Sequence, residues 1–262
     1  MNIFSFFGKL FAGESTAQDA NLPLKINFNS TVTFEINPIL SAMTHGAMID
    51  VLLDNLKVLR IKSISSIKID GMENKKIHRF YFNQEGERKR LFLQTLSDSN
   101  NVENIDEILF CSSVTEPPTG EEDILFFLGD NESGLGEPSY NFSREDLYTF
   151  LSRAEVDKRL AVNGDEDGVT YSRANEEEDF MPAFNGVETV IFDANGTTGE
   201  SRRIMNLMPH SRSLQNSLFE ELIVAFWVTT SHNGKEITIE DQLPLAEYIF
   251  AIKLERTNIK VI

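Results

Sequence analysis

Cysteine is almost absent: Cys111 stands alone among 262 residues. That excludes an intramolecular disulfide framework and any zinc site built on several cysteines. Histidine is scarce as well. His45, His78, His210 and His232 have no second His or Cys at ligand spacing, and neither HExxH nor GxSxG occurs. No metal and no cofactor is therefore expected. Eight Pro and fifteen Gly are too few for a collagen-like or low-complexity chain. No apolar run approaches the roughly 20 residues of a spanning helix. Basic residues are outnumbered 24 to 41, giving a net charge of −17. Such a surface repels phosphate backbones, so nucleic acid is not an expected partner. What is present, 41% hydrophobic and 10% aromatic residues, suffices for a sizeable core.

The negative charge is segregated. Glu103 to Glu188 holds 22 acidic and 5 basic residues, a net of −17, so the remainder of the chain is neutral. Leu53 to Arg90 leans the other way, with ten Lys/Arg against five Asp/Glu. A solvated acidic face that maintains solubility is one reading. The other is electrostatic complementarity with a basic partner or with the basic stretch of a second copy.

At 100° per residue, Ile3, Phe4, Phe6, Phe7, Leu10 and Phe11 fall within an arc of about 160°. The spacing predicts an amphipathic helix over residues 1–12, too short to be stable alone. Residues 13–21 (GESTAQDAN) read as a linker. A tethered helix implies docking on its own domain, on a partner, or on a membrane surface. The first 20 residues lack the basic start of a secretory signal, and with one unpaired Cys the expected location is cytoplasmic, with a peripheral contact to the inner membrane through residues 1–12 left open.

From Leu22 onward the pattern turns to β. Thr31–Ile36 and Lys57–Ile69 alternate apolar and polar residues. Ile77–Phe82 and Arg90–Thr95 read as a hairpin around 83–89, and Ile105–Val114 as a further strand. Glu121–Leu128 reads as a helix ending before Gly129. Ser143 with Asp146 opens a second helix, Arg144–Ser152, in the capping manner. Strands are expected again at Gly168–Arg173, Val187–Phe192, Tyr248–Leu254 and Ile259–Ile262. Leu218–Thr230 fits a strand or a buried helix, with its Val, Phe and Trp favouring strand. The expected fold is α+β: mainly antiparallel strands, a few short helices, and a tethered N-terminal helix. Residues 22–262 form the body, with a possible division near 117 or 163.

Several motifs carry candidate chemistry. His78-Arg79 with Asp106-Glu107 combines an acid–base pair with an anion-holding cation. Successive strand residues face opposite ways, however, so an Arg–carboxylate tie between strands is the simpler reading. Asn163 to Gly168 resembles half of a calcium loop, but position twelve is Ala174 rather than Glu. Ser133-Gly134-Leu135-Gly136 lacks the spacing and Lys of a phosphate loop and reads as a turn. Glu176, Glu177, Glu178 and Asp179 form a solvated loop or a docking site for a basic segment. Cys111 follows Ile108-Leu109-Phe110 and reads as a buried small hydrophobe.

Leu22-Pro23-Leu24, His78-Arg79-Phe80-Tyr81-Phe82, Phe92-Leu93-Gln94, Ile105 to Phe110, Gly134 to Tyr140 and Tyr171-Ser172-Arg173 follow one another in an order that resembles the bacterial YjfK-type family, a domain of unknown function. The resemblance spans most of residues 22–262 and thins toward the C-terminus, at Met208–Arg212 and Phe219–Ile223. It implies no activity. It implies a soluble partner in envelope or membrane-stress biology.

The expected function is a non-enzymatic adaptor or assembly component, acting through a protein partner or self-association. Its expected docking residues are Phe4, Phe7, Leu10 and Phe11 of the helix and Glu176, Glu177, Glu178 and Asp179 of the acidic run. A structural component of a phage virion or secretion-like particle is one alternative. An enzyme using His78, Arg79, Asp106 and Glu107 is the other.

Overall fold

The computed structural model describes residues 22–51, 56, 58–82, 88–129, 133–165, 167–173, 179–194 and 197–262. Its elements are β1 (Thr31–Phe34), α1 (Asn37–Thr44), β2 (Leu59–Arg60), β3 (Ser63–Ile69), β4 (Lys75–Tyr81), β5 (Lys89–Asp98) and β6 (Ile105–Glu116). Then follow α2 (Glu121–Leu128), β7 (Ser139–Ser143), α3 (Arg144–Leu147), α4 (Arg153–Asn163) and β8 (Gly168–Arg173). The chain ends with β9 (Phe184–Ala194), β10 (Thr197–Ser213), β11 (Phe219–His232), β12 (Lys235–Glu236), β13 (Leu245–Lys253) and β14 (Ile259–Val261).

Eight antiparallel strands close on themselves in the order β11-β13-β6-β5-β4-β3-β9-β10, with β10 pairing back onto β11. Strands β12, β8 and β7 extend this sheet outside the barrel, and β14-β1-β2 forms a separate three-stranded sheet. This corrects the α+β expectation. The protein is a closed β-barrel with short helices around it. Closure is a property of pairing between distant strands, so it leaves no local pattern. The expected N-terminal helix and linker, residues 1–21, lie outside the described residues.

Register fixes which side chains enter the barrel. Ser65 faces Arg79, Arg79 faces Gln94, and Gln94 faces Leu109 across neighbouring strands. Arg79 on β4 also meets Glu247 on β13, a contact that crosses the lumen. One part of the lumen is apolar, with Ile67, Ile69, Leu109, Cys111, Met205, Ile223 and Ala251 buried together. The remainder is charged. The lumen is filled by side chains, as expected for eight strands.

The outer wall carries the second core. Phe110, Leu93, Phe226, Phe250 and Ile252 pack against α1, the small sheet and the α2–β8 segment in one apolar cluster. Phe34 of β1 meets Phe82 and Phe110 edge to face at 5.7 and 5.3 Å. Phe127 of α2 stacks on Phe226 at 5.3 Å. Residues 121–173 thus form an appendage held on the outside of the barrel.

Several local expectations need revision. The alternation over Lys57–Ile69 divides into β2 and β3. The capping box at Ser143 is present, yet α3 lasts one turn, and Ser152 then caps α4 through a bond from the Glu155 amide. The ambiguous segment Leu218–Thr230 takes the favoured strand form from Phe219 onward, within β11. The longest strand, β10, was not expected at all. It is buried on both faces and places Arg203, Asn206, His210 and Arg212 out of water, so it lacks the polar–apolar alternation that marks a half-exposed strand.

Candidate functional site

The enzyme-like set does not converge. His78 and Arg79 are both buried but occupy opposite faces of β4, with Arg79 in the lumen and His78 stacked beside Phe80 on the outer wall. Asp106 engages Lys75 at 2.6 Å, and Glu107 engages Lys253 at 3.3 Å.

Arg79 belongs instead to a sealed network of three arginines and two glutamates. Ser65 Oγ, Tyr81 Oη and Arg203 Nη1 donate to Glu188 at 2.6, 3.1 and 3.2 Å. Ser113 Oγ and Arg90 Nη2 donate to Glu247 at 2.7 and 2.5 Å. Arg79 Nε donates to Gln94 at 2.8 Å, while its Nη1 lies 3.7 Å from a carboxylate oxygen of each glutamate. At that separation the pairs are ionic rather than hydrogen-bonded. The guanidinium groups also lie over rings: Arg203 over Trp227 at 4.2 Å, Arg90 over Tyr81 at 4.7 Å and Arg79 over Phe92 at 5.3 Å. Burial pushes the Glu247 carboxyl up, but Arg90, Arg79 and the Ser113 hydroxyl outweigh it and hold the group at about 2. Burial likewise opposes the charge on Arg90 and Arg79, and the facing carboxylates and Tyr81 restore it. Both glutamates have no solvent exposure. The network positions strands; a substrate would have to enter a filled lumen to reach it.

A second buried carboxylate ties the appendage to the barrel. Glu220 on the outer face of β11 accepts from the Met48 and Ile49 amides at 2.6 and 3.0 Å and from Tyr171 Oη at 2.8 Å. Arg212 Nε and Nη2 add bonds at 3.0 and 2.9 Å. From α4, Arg159 Nη1 donates to the carbonyls of Ala47 and Ile49, both at 2.7 Å. One buried carboxyl group therefore joins β8, β10, β11 and the 46–49 segment, with its acceptor capacity used.

On the appendage the exposed charge is mostly of one sign. Glu121 and Glu122 of α2, Glu145 and Asp146 of α3, Asp157 of α4, and Glu137, Asp167 and Asp179 in the connections all face water. Among the described residues of this stretch only Arg153 and Lys158 are exposed cations. Of the expected docking residues, Asp179 alone is described; Phe4, Phe7, Leu10, Phe11, Glu176, Glu177 and Glu178 lie outside the described residues. Arg173 Nη2 donates to the Asp179 carbonyl at 2.6 Å, and its Nη1 donates to the Gly136 carbonyl at 2.8 Å. Gly134 and Gly136 serve packing, since a side chain there would strike the Phe126 and Met181 carbonyls.

Cys111 is buried in the lumen, and burial pushes its thiol well above the ordinary range, which disfavours the nucleophilic thiolate. Among the described residues no group of three or more His, Cys, Asp or Glu side chains is placed to hold a metal ion. Among them no helix is long and apolar enough to cross a membrane. No family model, no curated protein and no solved structure matches this chain.

Sequence reasoning missed Glu188, Glu247, Glu220, Arg90, Arg203 and Arg212. One signal was available: an isolated charge inside an apolar strand run, as at Glu247 within Leu245–Lys253. Such a charge needs a partner once the run is buried.

Proposed function

We propose that this protein is a non-enzymatic adaptor or assembly component that docks a basic segment of a protein partner on the acidic appendage. The observation that carries this reading is the contrast in placement: the lumen charges are sealed and paired, whereas eight described carboxylates, with two exposed cations among them, face water on α2, α3, α4 and their connections. A surface of one sign speeds association with an oppositely charged partner and selects against others. Asp179, whose carbonyl accepts from Arg173, belongs to that surface, and Glu176, Glu177 and Glu178 precede it in sequence. Phe4, Phe7 and Leu10 supply a second, apolar contact on the same partner. The proposal extends to a partner in envelope or membrane-stress biology, the setting that the resemblance to YjfK-type chains implies.

The test is affinity isolation from host lysate, comparing the full chain with a variant carrying Glu→Gln at 121, 122, 145, 176, 177 and 178. Proteins recovered by the first and lost from the second, with recovery falling as salt rises, support the reading. Identical recovery from both sinks it.

A further inference from the structure

A cleft of about 180 Å³ opens at the end of the barrel beside the β9–β10 hairpin, lined by Phe28, Asn29, Phe192, Asp193 and Thr198. Both aromatic walls are held in place. Phe192 stacks on His232 with ring centroids 5.5 Å apart, and it lies against Gly199, where a side chain would collide with it. Phe28 sits in a tight turn in which the Ser30 amide donates to the Asn27 carbonyl at 3.0 Å, and Asn29 adopts a left-handed φ of 66°. Both rings are only partly buried. The volume suits one aromatic ring: a cavity of roughly 150 Å³ already accepts benzene.

The described chain begins at Leu22, six residues before the Phe28 wall. Just ahead of it the sequence carries four phenylalanines, Phe4, Phe6, Phe7 and Phe11. Phe11 is nearest in sequence, and the stretch from it to Leu22 spans at most about 36–40 Å. Leu22 to Phe28 spans at most about 20–22 Å. The ring is therefore within reach of the cleft. A tether of this length presents it at an effective concentration on the order of millimolar, and the short loop keeps the closure cost small.

We infer that this cleft takes the side chain of Phe11 from its own chain and anchors the N-terminal segment at the barrel end. Phe4, Phe7 and Leu10 then remain available for a partner. The inference does not rest on the acidic docking surface and stands or falls separately.

The test places a photo-reactive benzoyl-phenylalanine at position 11 of the full chain, which keeps an aromatic ring there, and at position 4 as a control. Irradiation of the position 11 protein is expected to yield crosslinks within one chain to peptides containing Phe28–Asn29 or Phe192–Thr198. Position 4 should not label them. Filling the cleft with Thr198→Trp, on an exposed residue, should lower the yield by about tenfold, the effect of a 1.4 kcal/mol loss. Mixing isotope-labelled and unlabelled protein separates the outcomes. Crosslinks between chains would assign the cleft to a second copy, and crosslinks elsewhere or a yield unchanged by Thr198→Trp would assign the ring to another surface. Each of these overturns the inference.

Discussion

Inside the barrel, three arginines and two glutamates are shut away from water and paired with one another. On the appendage, eight described carboxylates face water with two exposed cations among them. The chemical groups are the same, and their consequences are opposite. A buried ion pair fixes strand register because losing one partner leaves the other uncompensated. An exposed carboxylate contributes little to folding, is screened by salt, and is available to a partner. The contrast indicates which charges belong to the architecture and which to association.

The contrast breaks most severely at Glu247. Glu247→Gln removes one of the two lumen carboxylates facing Arg79 and Arg90. A loss of about 3–5 kcal/mol is expected, read as a lower urea midpoint with an unchanged slope. The same residue governs acid sensitivity. Its folded pKa of about 2 lies below the unfolded value near 4.5, so its contribution is present above pH 4.5 and lost as pH falls toward 2. That contribution is about 3 kcal/mol, and Glu247→Gln should flatten this part of the stability profile.

Glu221 sharpens the comparison with the reverse sign. Burial first, and Glu107 second, push its carboxyl up to about 7, and Lys253 opposes them. Between pH 4.5 and 7 the folded state binds more protons than the unfolded state, so stability declines as pH rises through that window. Glu221→Gln should raise stability by about 3 kcal/mol at pH 8 and change it little at pH 4. The smallest effect is expected outside. Glu121→Gln, Glu122→Gln and Glu145→Gln together should shift stability by less than about 0.5 kcal/mol per site, seen in thermal melts.

How far this was legible in the sequence follows from the same physics. Strands with one wet face, such as β8, display their period and matched the expected span, and β4 and β5 pair antiparallel as expected, though over longer spans than read. β10 and α4 did not show themselves: the first is buried on both sides, and the second has a weakly amphipathic sequence in which Arg159 turns inward. Closure of the barrel depends on β10 meeting β11, which no local pattern encodes. The acidic surplus could be read directly from the residues. Its placement on one appendage depends on Glu220 and on the aromatic contacts of Phe127 and Phe142, which meet only in the folded chain.

The most direct measurement follows stability and partner recovery together in two full-length variants, Glu247→Gln and the triple Glu121→Gln/Glu122→Gln/Glu145→Gln. The account predicts a crossed result. Glu247→Gln lowers the unfolding midpoint while its folded fraction still recovers the partner; the triple variant keeps the midpoint and loses the partner. A triple variant that keeps both would contradict the assignment of the appendage as the docking surface.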